Sequence, residues 1–364
     1  MNTRTQVIRT ALLAGALAIV APPARAWNPP DGNAPDQANP PSSPTALVPK
    51  AHGYIIQNGI AILNNDGYWV AAQTLKQWQQ ELLNGVRYAD VYQGSQCVNL
   101  VVKELDGLFS QTFPSFKCWP WAADNHYYNP DTNYGLEAGY LADAAEWTQI
   151  LEDIIEGPIV SVDVEVDPTL KVIYPSALDW VTTEFNNATS AYRGGSPASI
   201  NGRHGTQLAM FYLGWASHFM QDQNVVHHTF DEVLKHHAEY ENWADADTSQ
   251  NPPVWNRAFH APPSPTGLTG IYSVSPSFCL PVSDPSCLAR NANAIAHQQN
   301  MYSIDDEYSN APDDSVGGPL ASAAVQAAIP VAERTQAGIF YAFFQAVGQT
   351  PVQMPAVLRV LNPS

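Results

Sequence analysis

The chain has 364 residues, and its 34 acidic and 16 basic residues give a formal net charge of −18 at neutral pH. This length allows one large domain or two small ones. The acidic surface disfavours polyanions such as nucleic acids and anionic lipid surfaces as partners. A bound metal ion reverses the local field, so the charge alone excludes neither class.

The first 26 residues have the organisation of a secretory signal peptide. MNTRTQVIR is basic, ALLAGALAIVA is apolar, and ARA before Trp27 is a small-x-small cleavage site. The apolar run is short for a membrane span, and an uncleaved anchor is the alternative. Cleavage removes three arginines and no acid, so the mature chain, residues 27–364, carries a net charge of −21. We expect a secreted or periplasmic protein without a transmembrane segment in its mature form.

Four cysteines in an exported chain predict two disulfide bonds. Proximity in the sequence favours Cys97–Cys118 and Cys279–Cys287 among the three pairings that are possible. A zinc site made of the four cysteines is the competing interpretation. The chain has no CxxC motif, which speaks against such a site.

Apolar residues recur at helical spacing along most of the mature chain, after an irregular arm over residues 27–48 that is rich in proline, asparagine and serine. Helices are predicted for residues 52–65, 68–85, 96–111, 134–155, 169–189, 204–224 and 230–245. Residues 160–166, VSVDVEV, alternate like a lone strand, and residues 246–285 are predicted to be a proline- and serine-rich loop. A last helix over residues 319–348 is expected to be kinked or broken near Pro330. The prediction is an all-α fold, one helical domain with long loops.

Five of the ten histidines lie between positions 218 and 237, and this clustering points to a metal site. On a helix, His218 and Asp222 are four residues apart and share a face. If the same helix continues, His228 lies about 80° round it from His218. His227 would then lie on the opposite side, and it is expected at the surface or behind the ligands.

The next predicted helix repeats the same spacing with His237 and Glu241. Two neighbouring helices that each offer an imidazole and a carboxylate on one face make a suitable clamp for zinc, which accepts both ligand types. We therefore interpret these residues as a metal-binding set.

The segments HFMQDQNVVH and HHAEYENWAD resemble the zinc-dependent bacterial phospholipase C family, whose fold is shared with the single-strand-specific zinc nucleases. The order of ligands in that family matches further residues of this chain. Trp27 follows the cleavage site, His52 stands in KAHGYIIQNGIAIL, Asp90 in GVRYADVYQG and His126 in NHYYNPD. The resemblance extends over residues 27–245.

The resemblance implies three zinc ions held by nine residues. The first ion would bind Asp90, His126, His218 and Asp222. The second would bind the amine and carbonyl of Trp27 together with His52 and Asp222, which makes Asp222 a bridge. The third would bind His228, His237 and Glu241. Asp90 is also the candidate catalytic residue, since the family places there a ligand that can act as a base toward the attacking water.

The function implied by the resemblance is hydrolysis of glycerophospholipids such as phosphatidylcholine to diacylglycerol and a phosphorylated head group. The substrate would lie at a membrane or micelle surface, and the protein is expected to be a monomer without a C-terminal β-sandwich and without a stable nucleic-acid partner. A zinc-dependent single-strand nuclease is the first alternative. The long arm before His52, the HxxxE spacing of His237 and Glu241 and the lack of a basic stripe favour the lipase. The second alternative is a non-catalytic, zinc-stabilised surface-binding protein, which requires closed metal sites.

Overall fold

The computed structural model describes residues 51–89, 96–104, 110–119, 126–131, 133, 159–166, 176–230, 236, 237, 240, 241, 244, 285–309 and 318–349. The described helices are α1 (Ala51–Asn65), α2 (Trp69–Gln77), α3 (Gln79–Ala89), α4 (Ala177–Tyr192), α5 (Gly205–Asp222), α6 (Val226–Thr229), α7 (Pro285–His297), α8 (Met301–Ser309) and α9 (Pro319–Ala346). The described strands are β1 (Gln96–Glu104), β2 (Ser110–Trp119) and β3 (Ile159–Val166). The predominance of helix is confirmed. Within these residues, no helix combines the length and the apolarity needed to cross a bilayer.

Helix α5 lies at the centre of the helical core. It is buried without interruption from Leu208 to Asp222, because α3 and α4 pack against it and α9 contacts it as well. A helix that is covered on all sides is apolar all round except where its polar groups have partners. The imidazole and the carboxylate of this buried stretch, His218 and Asp222, stand at its C-terminal end.

Two glycines allow α3 and α5 to approach each other closely. A Cβ on Gly214 would overlap the carbonyl oxygen of Leu82, and a Cβ on Gly85 would overlap that of Phe211. Any side chain at either position would therefore force the two backbones apart. Glycine inside a helix normally lowers its stability, and here the close approach of the helices explains its presence.

A capping box determines where α4 begins. The backbone N–H of Asp179 donates to Ser176 Oγ at 3.4 Å, and the backbone N–H of Ser176 donates to Asp179 Oδ2 at 2.8 Å. This reciprocal pair satisfies backbone donors that the first turn leaves without helical acceptors. The helix predicted over residues 169–189 therefore begins at Ala177.

A buried acid in α4 makes the stability of the fold depend on pH. Burial raises the pKa of Glu184 from 4.5 to about 7, and the hydrogen bond from Asn187 opposes this shift. Below pH 4.5 the carboxyl is protonated in both the folded and the unfolded chain. As pH rises toward 7 only the unfolded chain ionises, so stability is lost over this interval, by roughly 3 kcal/mol in total.

We therefore expect the Glu184→Gln variant to gain stability over the parent protein as pH rises, with a difference near zero at pH 4.5 and about 3 kcal/mol at pH 8. Urea unfolding of both proteins at a series of pH values, with zinc held in excess, measures this difference. A difference that stays constant across the series would contradict the assignment.

Within the segment 96–111, which was predicted as a helix, residues 96–104 and 110–111 instead belong to an antiparallel sheet with the strand order β2-β1-β3. Cys97 lies opposite Cys118 in the β1–β2 register, and Val102 lies opposite Val162 in the β1–β3 register. The apolar spacing of QCVNLVVKE fits either period, and its β-branched valines favour the strand once partners are present. The strand-like segment 160–166 is confirmed, but it does not stand alone.

The C-terminal part of the described chain differs from the prediction in two places. The sequence indicated no element between residues 286 and 318, whereas α7 and α8 occupy most of that stretch. Helix α9 also continues through Pro330, so of the two predicted outcomes, a kink or a break, the break is wrong. Proline removes one helical hydrogen bond, and the burial of Ile329 and Val331 on either side holds the helix together.

Candidate metal centre

The end of α5 places an imidazole and a carboxylate side by side in the interior. His218 and Asp222 are both fully buried, and His218 Nε2 lies 3.4 Å from Asp222 Oδ2. The helix ends at Asp222, and the backbone N–H of Val225 donates to the carbonyl of Asp222 at 2.9 Å. The chain then turns into α6, which carries His228, so the single continuous helix on which the predicted offset of about 80° depended is not found.

Asp222 stands between histidines from three parts of the chain. Its Oδ2 atom lies 2.6 Å from His126 Nδ1 as well as close to His218. Its Oδ1 atom faces His52 Nε2 at 3.5 Å, and this buried oxygen has no hydrogen-bond partner among the described residues. His52, His218 and Asp222 form a group whose ligand atoms lie within 4.8 Å of one another. A carboxylate with its two oxygens directed to different imidazoles is suited to bridge two cations.

His52 reaches this first group from α1. Its ring stacks on that of His218 with centroids 4.1 Å apart. Its Nδ1 atom lies 2.6 Å from Gln221 Oε1. A neutral imidazole that donates its Nδ1–H to an amide oxygen presents the lone pair of Nε2, and here Nε2 is the atom directed at Asp222.

A second group lies beyond the end of α5 and consists of His228, His237 and Glu241. His228 Nε2 lies 2.9 Å from His237 Nε2 and 3.2 Å from Glu241 Oε1. His237 Nε2 lies 2.7 Å from the same carboxylate oxygen. All three residues are buried, and the four-residue spacing of His237 and Glu241 brings them together as predicted.

The partners of the outer ring nitrogens indicate that the second group fits a metal ion. His228 Nδ1 donates to the carbonyl of His126 at 3.0 Å, which leaves Nε2 of a neutral ring as an acceptor. Glu241 Oε1 is also an acceptor, yet it lies only 3.2 Å from His228 Nε2. His237 Nδ1 contacts the hydroxyl of Tyr127 at 3.2 Å. A cation bound between these buried acceptors would remove the repulsion between them and satisfy their lone pairs.

Burial shifts the pKa values of histidines and a carboxylate in these groups in the direction that favours their neutral forms. The pKa of His218 is well below its usual value, first because of burial and then because His52, His126 and His228 lie close. The pKa of His228 is lowered in the same way by burial and by His237. Burial raises the pKa of Asp222 well above its usual value. Neutral imidazoles are the metal-binding form, and a cation beside Asp222 would offset the cost of its buried charge.

Seven of the nine predicted ligands are among the described residues, and the structure brings all seven into these two neighbouring groups. His126 links the groups, because its ring contacts Asp222 while its carbonyl accepts from His228. Trp27 and the catalytic candidate Asp90 lie outside the described residues. His227 is buried and stacks on His237 with centroids 5.0 Å apart, so of its two predicted positions the one behind the ligands is found.

Several residues that support the ligands carry no signal of their own in the sequence. Gln221 contacts His52, Tyr127 contacts His237, and a backbone carbonyl holds His228. The amide and the hydroxyl stand next to ligands in the chain, at the positions before Asp222 and after His126. Adjacency to a ligand is therefore the one hint that the sequence offers for them.

Comparison with known proteins connects these groups with a family. Residues 51–264 match the family model described as zinc dependent phospholipase C. All the predicted ligands except Trp27 lie within the matched residues. No curated protein sequence matches the chain.

Two solved structures are similar to this one at low sequence identity. The alpha toxin from Clostridium absonum has 14% identity and a TM-score of 0.47, and the match covers 84% of this chain and 65% of the toxin. The alpha-toxin of Clostridium perfringens from avian strain SWCP has 17% identity and a TM-score of 0.46, with 82% and 64% covered. The chain thus spans slightly less than two thirds of either toxin chain.

Proposed function

The chain belongs to the zinc-dependent phospholipase C family, and we propose that it hydrolyses glycerophospholipids such as phosphatidylcholine to diacylglycerol and a phosphorylated head group. The observation that carries this proposal is the pair of adjacent buried groups of imidazoles and carboxylates around Asp222 and Glu241. The donor set of nitrogen and oxygen atoms suits zinc. A cluster of such sites around a bridging carboxylate is the arrangement expected for phosphodiester hydrolysis.

We assign three zinc ions to the site, although the described residues form two groups. His228, His237 and Glu241 would hold one ion. Asp222 would bridge the other two, with His126, His218 and Asp90 on one side and His52 and Trp27 on the other. The division of His52 and His218 between two ions is supported by the two oxygens of Asp222, since Oδ1 faces His52 and Oδ2 faces His218.

The residues of the chain prepare the site for the reaction. When bound, zinc supplies the positive charge that holds the phosphate oxygens and lowers the pKa of the attacking water. The buried imidazoles hold fixed orientations through bonds from their outer nitrogens to Gln221, Tyr127 and the carbonyl of His126. We propose that Asp90, which follows the last residue of α3, accepts the proton of the water.

Export would complete the metal site. Cleavage after Ala26 exposes the α-amine of Trp27, and the pKa of an α-amine is ordinarily roughly 8, low enough for it to bind zinc near neutral pH. We propose that the protein acts as a secreted or periplasmic monomer on phospholipids at a membrane or micelle surface. The enzyme would then lack one zinc ligand for as long as it stays inside the cell that makes it.

We also propose the two disulfides. The register of β1 and β2 places Cys97 and Cys118 opposite each other, and directly opposed residues of an antiparallel pair have Cα atoms about 4.5–5.5 Å apart. That separation suits a disulfide. Cys287 lies in α7, and its proposed partner Cys279 lies outside the described residues.

Release of phosphocholine from phosphatidylcholine vesicles tests the function. We expect the mature protein to release it, to lose the activity in a chelator and to regain it with added zinc. The His237→Gln variant should be inactive, whereas His204→Gln, at the exposed start of α5, should match the parent. A zinc-loaded protein that leaves the vesicles intact but cleaves single-stranded DNA would be a nuclease. One that cleaves neither substrate would overturn the assignment of an enzyme.

A further inference from the structure

A line of buried hydrogen bonds runs from His52 through α9 and back into α5. His52 Nδ1 lies 2.6 Å from Gln221 Oε1, and Gln221 Nε2 donates to Gln336 Oε1 at 2.7 Å. Gln336 Nε2 donates to Ser217 Oγ at 2.8 Å, and Ser217 Oγ donates to the carbonyl of Leu213 at 2.7 Å. The side chains in this line are completely buried, so they lie away from the solvent.

The far end of the line determines the direction of every hydrogen bond in it. The carbonyl of Leu213 only accepts, so the Ser217 hydroxyl gives its proton there and accepts from Gln336. An amide that uses its NH₂ group toward Ser217 presents its oxygen toward Gln221. The amide of Gln221 is then oriented in turn, with its NH₂ group toward Gln336 and its oxygen toward His52. Only one tautomer of His52, the one with a proton on Nδ1, matches this oxygen.

We propose that Gln221 and Gln336 are positioning residues that hold His52 in the Nδ1–H tautomer, so that Nε2 is the atom offered to zinc. This inference rests on the proposed function only in taking zinc as the metal. His52 Nε2 lies 3.5 Å from Asp222 Oδ1, and the other tautomer would direct a proton from His52 at this carboxylate and leave Nε2 without a lone pair for a zinc ion. Residues that orient a histidine ligand typically contribute a factor of about 10 to 100 in metal affinity.

Gln336 is the less expected member of the pair. It lies on α9, outside the residues that match the family model, which end at 264. A glycine in α1 makes room for it, since a Cβ on Gly59 would stand 2.7 Å from Gln336 Cγ and 3.3 Å from the backbone nitrogen of Ala337. The close approach of α1 and α9 thus brings an amide from the C-terminal part of the chain behind a ligand from the first helix.

The matched pair of variants Gln336→Met and Gln326→Met tests the proposal on the full mature protein. Both exchanges remove an amide from α9, but the partner of Gln326 among the described residues is Ser322, one turn away on the same helix. Zinc affinity is measured by competition with a chromophoric chelator. We expect Gln336→Met to bind the zinc ion assigned to His52 about tenfold less tightly than the parent. Gln326→Met should bind zinc as the parent does, and equal affinity in the two variants would overturn the proposal.

A nitrogen-15 spectrum of the zinc-loaded parent, labelled at histidine, gives a second reading that does not depend on activity. His52 is assigned by comparison with the His52→Gln variant. We expect a proton on Nδ1 and zinc on Nε2, and we expect the Nδ1–H resonance to move in Gln336→Met. Zinc on Nδ1 of the parent would overturn the proposal, and this spectrum decides the question even if Gln336→Met does not fold. A protein that shows the expected tautomer but leaves phosphatidylcholine intact would contradict the proposed substrate and not this inference.

Discussion

Replacement of Asp222 by asparagine is expected to reduce the proposed hydrolysis of phosphatidylcholine about 1000-fold, equivalent to roughly 4 kcal/mol. Asp222 directs one carboxylate oxygen at His52 and the other at His126 and His218. Asparagine keeps the shape of the side chain but has one oxygen and no charge. It would therefore lose the proposed bridge between two ions, and with it the charge that would hold them.

Metal analysis separates this effect from a loss of folding. We expect Asp222→Asn to lose zinc from the group around His52 while it keeps the ion of His228, His237 and Glu241. Asp306 on α8 provides the control. Asp306→Asn also replaces a carboxylate by an amide, but this residue is exposed and lies far in sequence from the predicted ligands. A variant that loads as much zinc as the parent and keeps its turnover would show that Asp222 is not the bridge.

Replacement of Gly214 by alanine is expected to lower the free energy of unfolding by more than about 3 kcal/mol. The exchange adds one methyl group that overlaps the carbonyl oxygen of Leu82. A side chain in the way can rotate, but a backbone carbonyl within α3 moves only if the helix moves. Without such a contact, replacing glycine by alanine within a helix stabilises the protein by up to about 1 kcal/mol. A decrease in the free energy of unfolding would therefore identify the close approach of α3 and α5.

Urea unfolding of zinc-loaded protein measures this loss, and the reverse exchange on the same helix is the control. Ala216→Gly removes one methyl group from α5, and we expect it to cost only about 1–2 kcal/mol, from helix propensity and a small void. Because α5 also carries His218 and Asp222, a displaced helix should weaken zinc binding in Gly214→Ala. Stability equal to that of the parent would contradict the close packing of α3 against α5.

Interactions that act over one or two turns of helix were readable in the sequence. The spacing of His218 and Asp222, and that of His237 and Glu241, places each pair on one face because the pitch of an α-helix is constant. The same regularity identified most of the helices, including the long apolar one over residues 319–346. The order of further histidines along the chain, through its resemblance to a known family, added His52 and His126 to the set.

Tertiary structure decided what depends on partners distant in sequence. Residues 96–104 form a strand because β2 and β3 lie beside them, and an apolar run of that length fits a helix as well. The orientation of His228 depends on the backbone carbonyl of His126. Every residue has a backbone carbonyl, so the sequence does not indicate which one accepts this hydrogen bond. The tautomer of His52 depends on Gln336, 284 positions away, because a hydrogen-bond direction is transmitted only where the helices pack. Local spacing and the order of ligands along the chain thus indicated which residues can bind a metal, and packing determined which ring nitrogen His52 and His228 present.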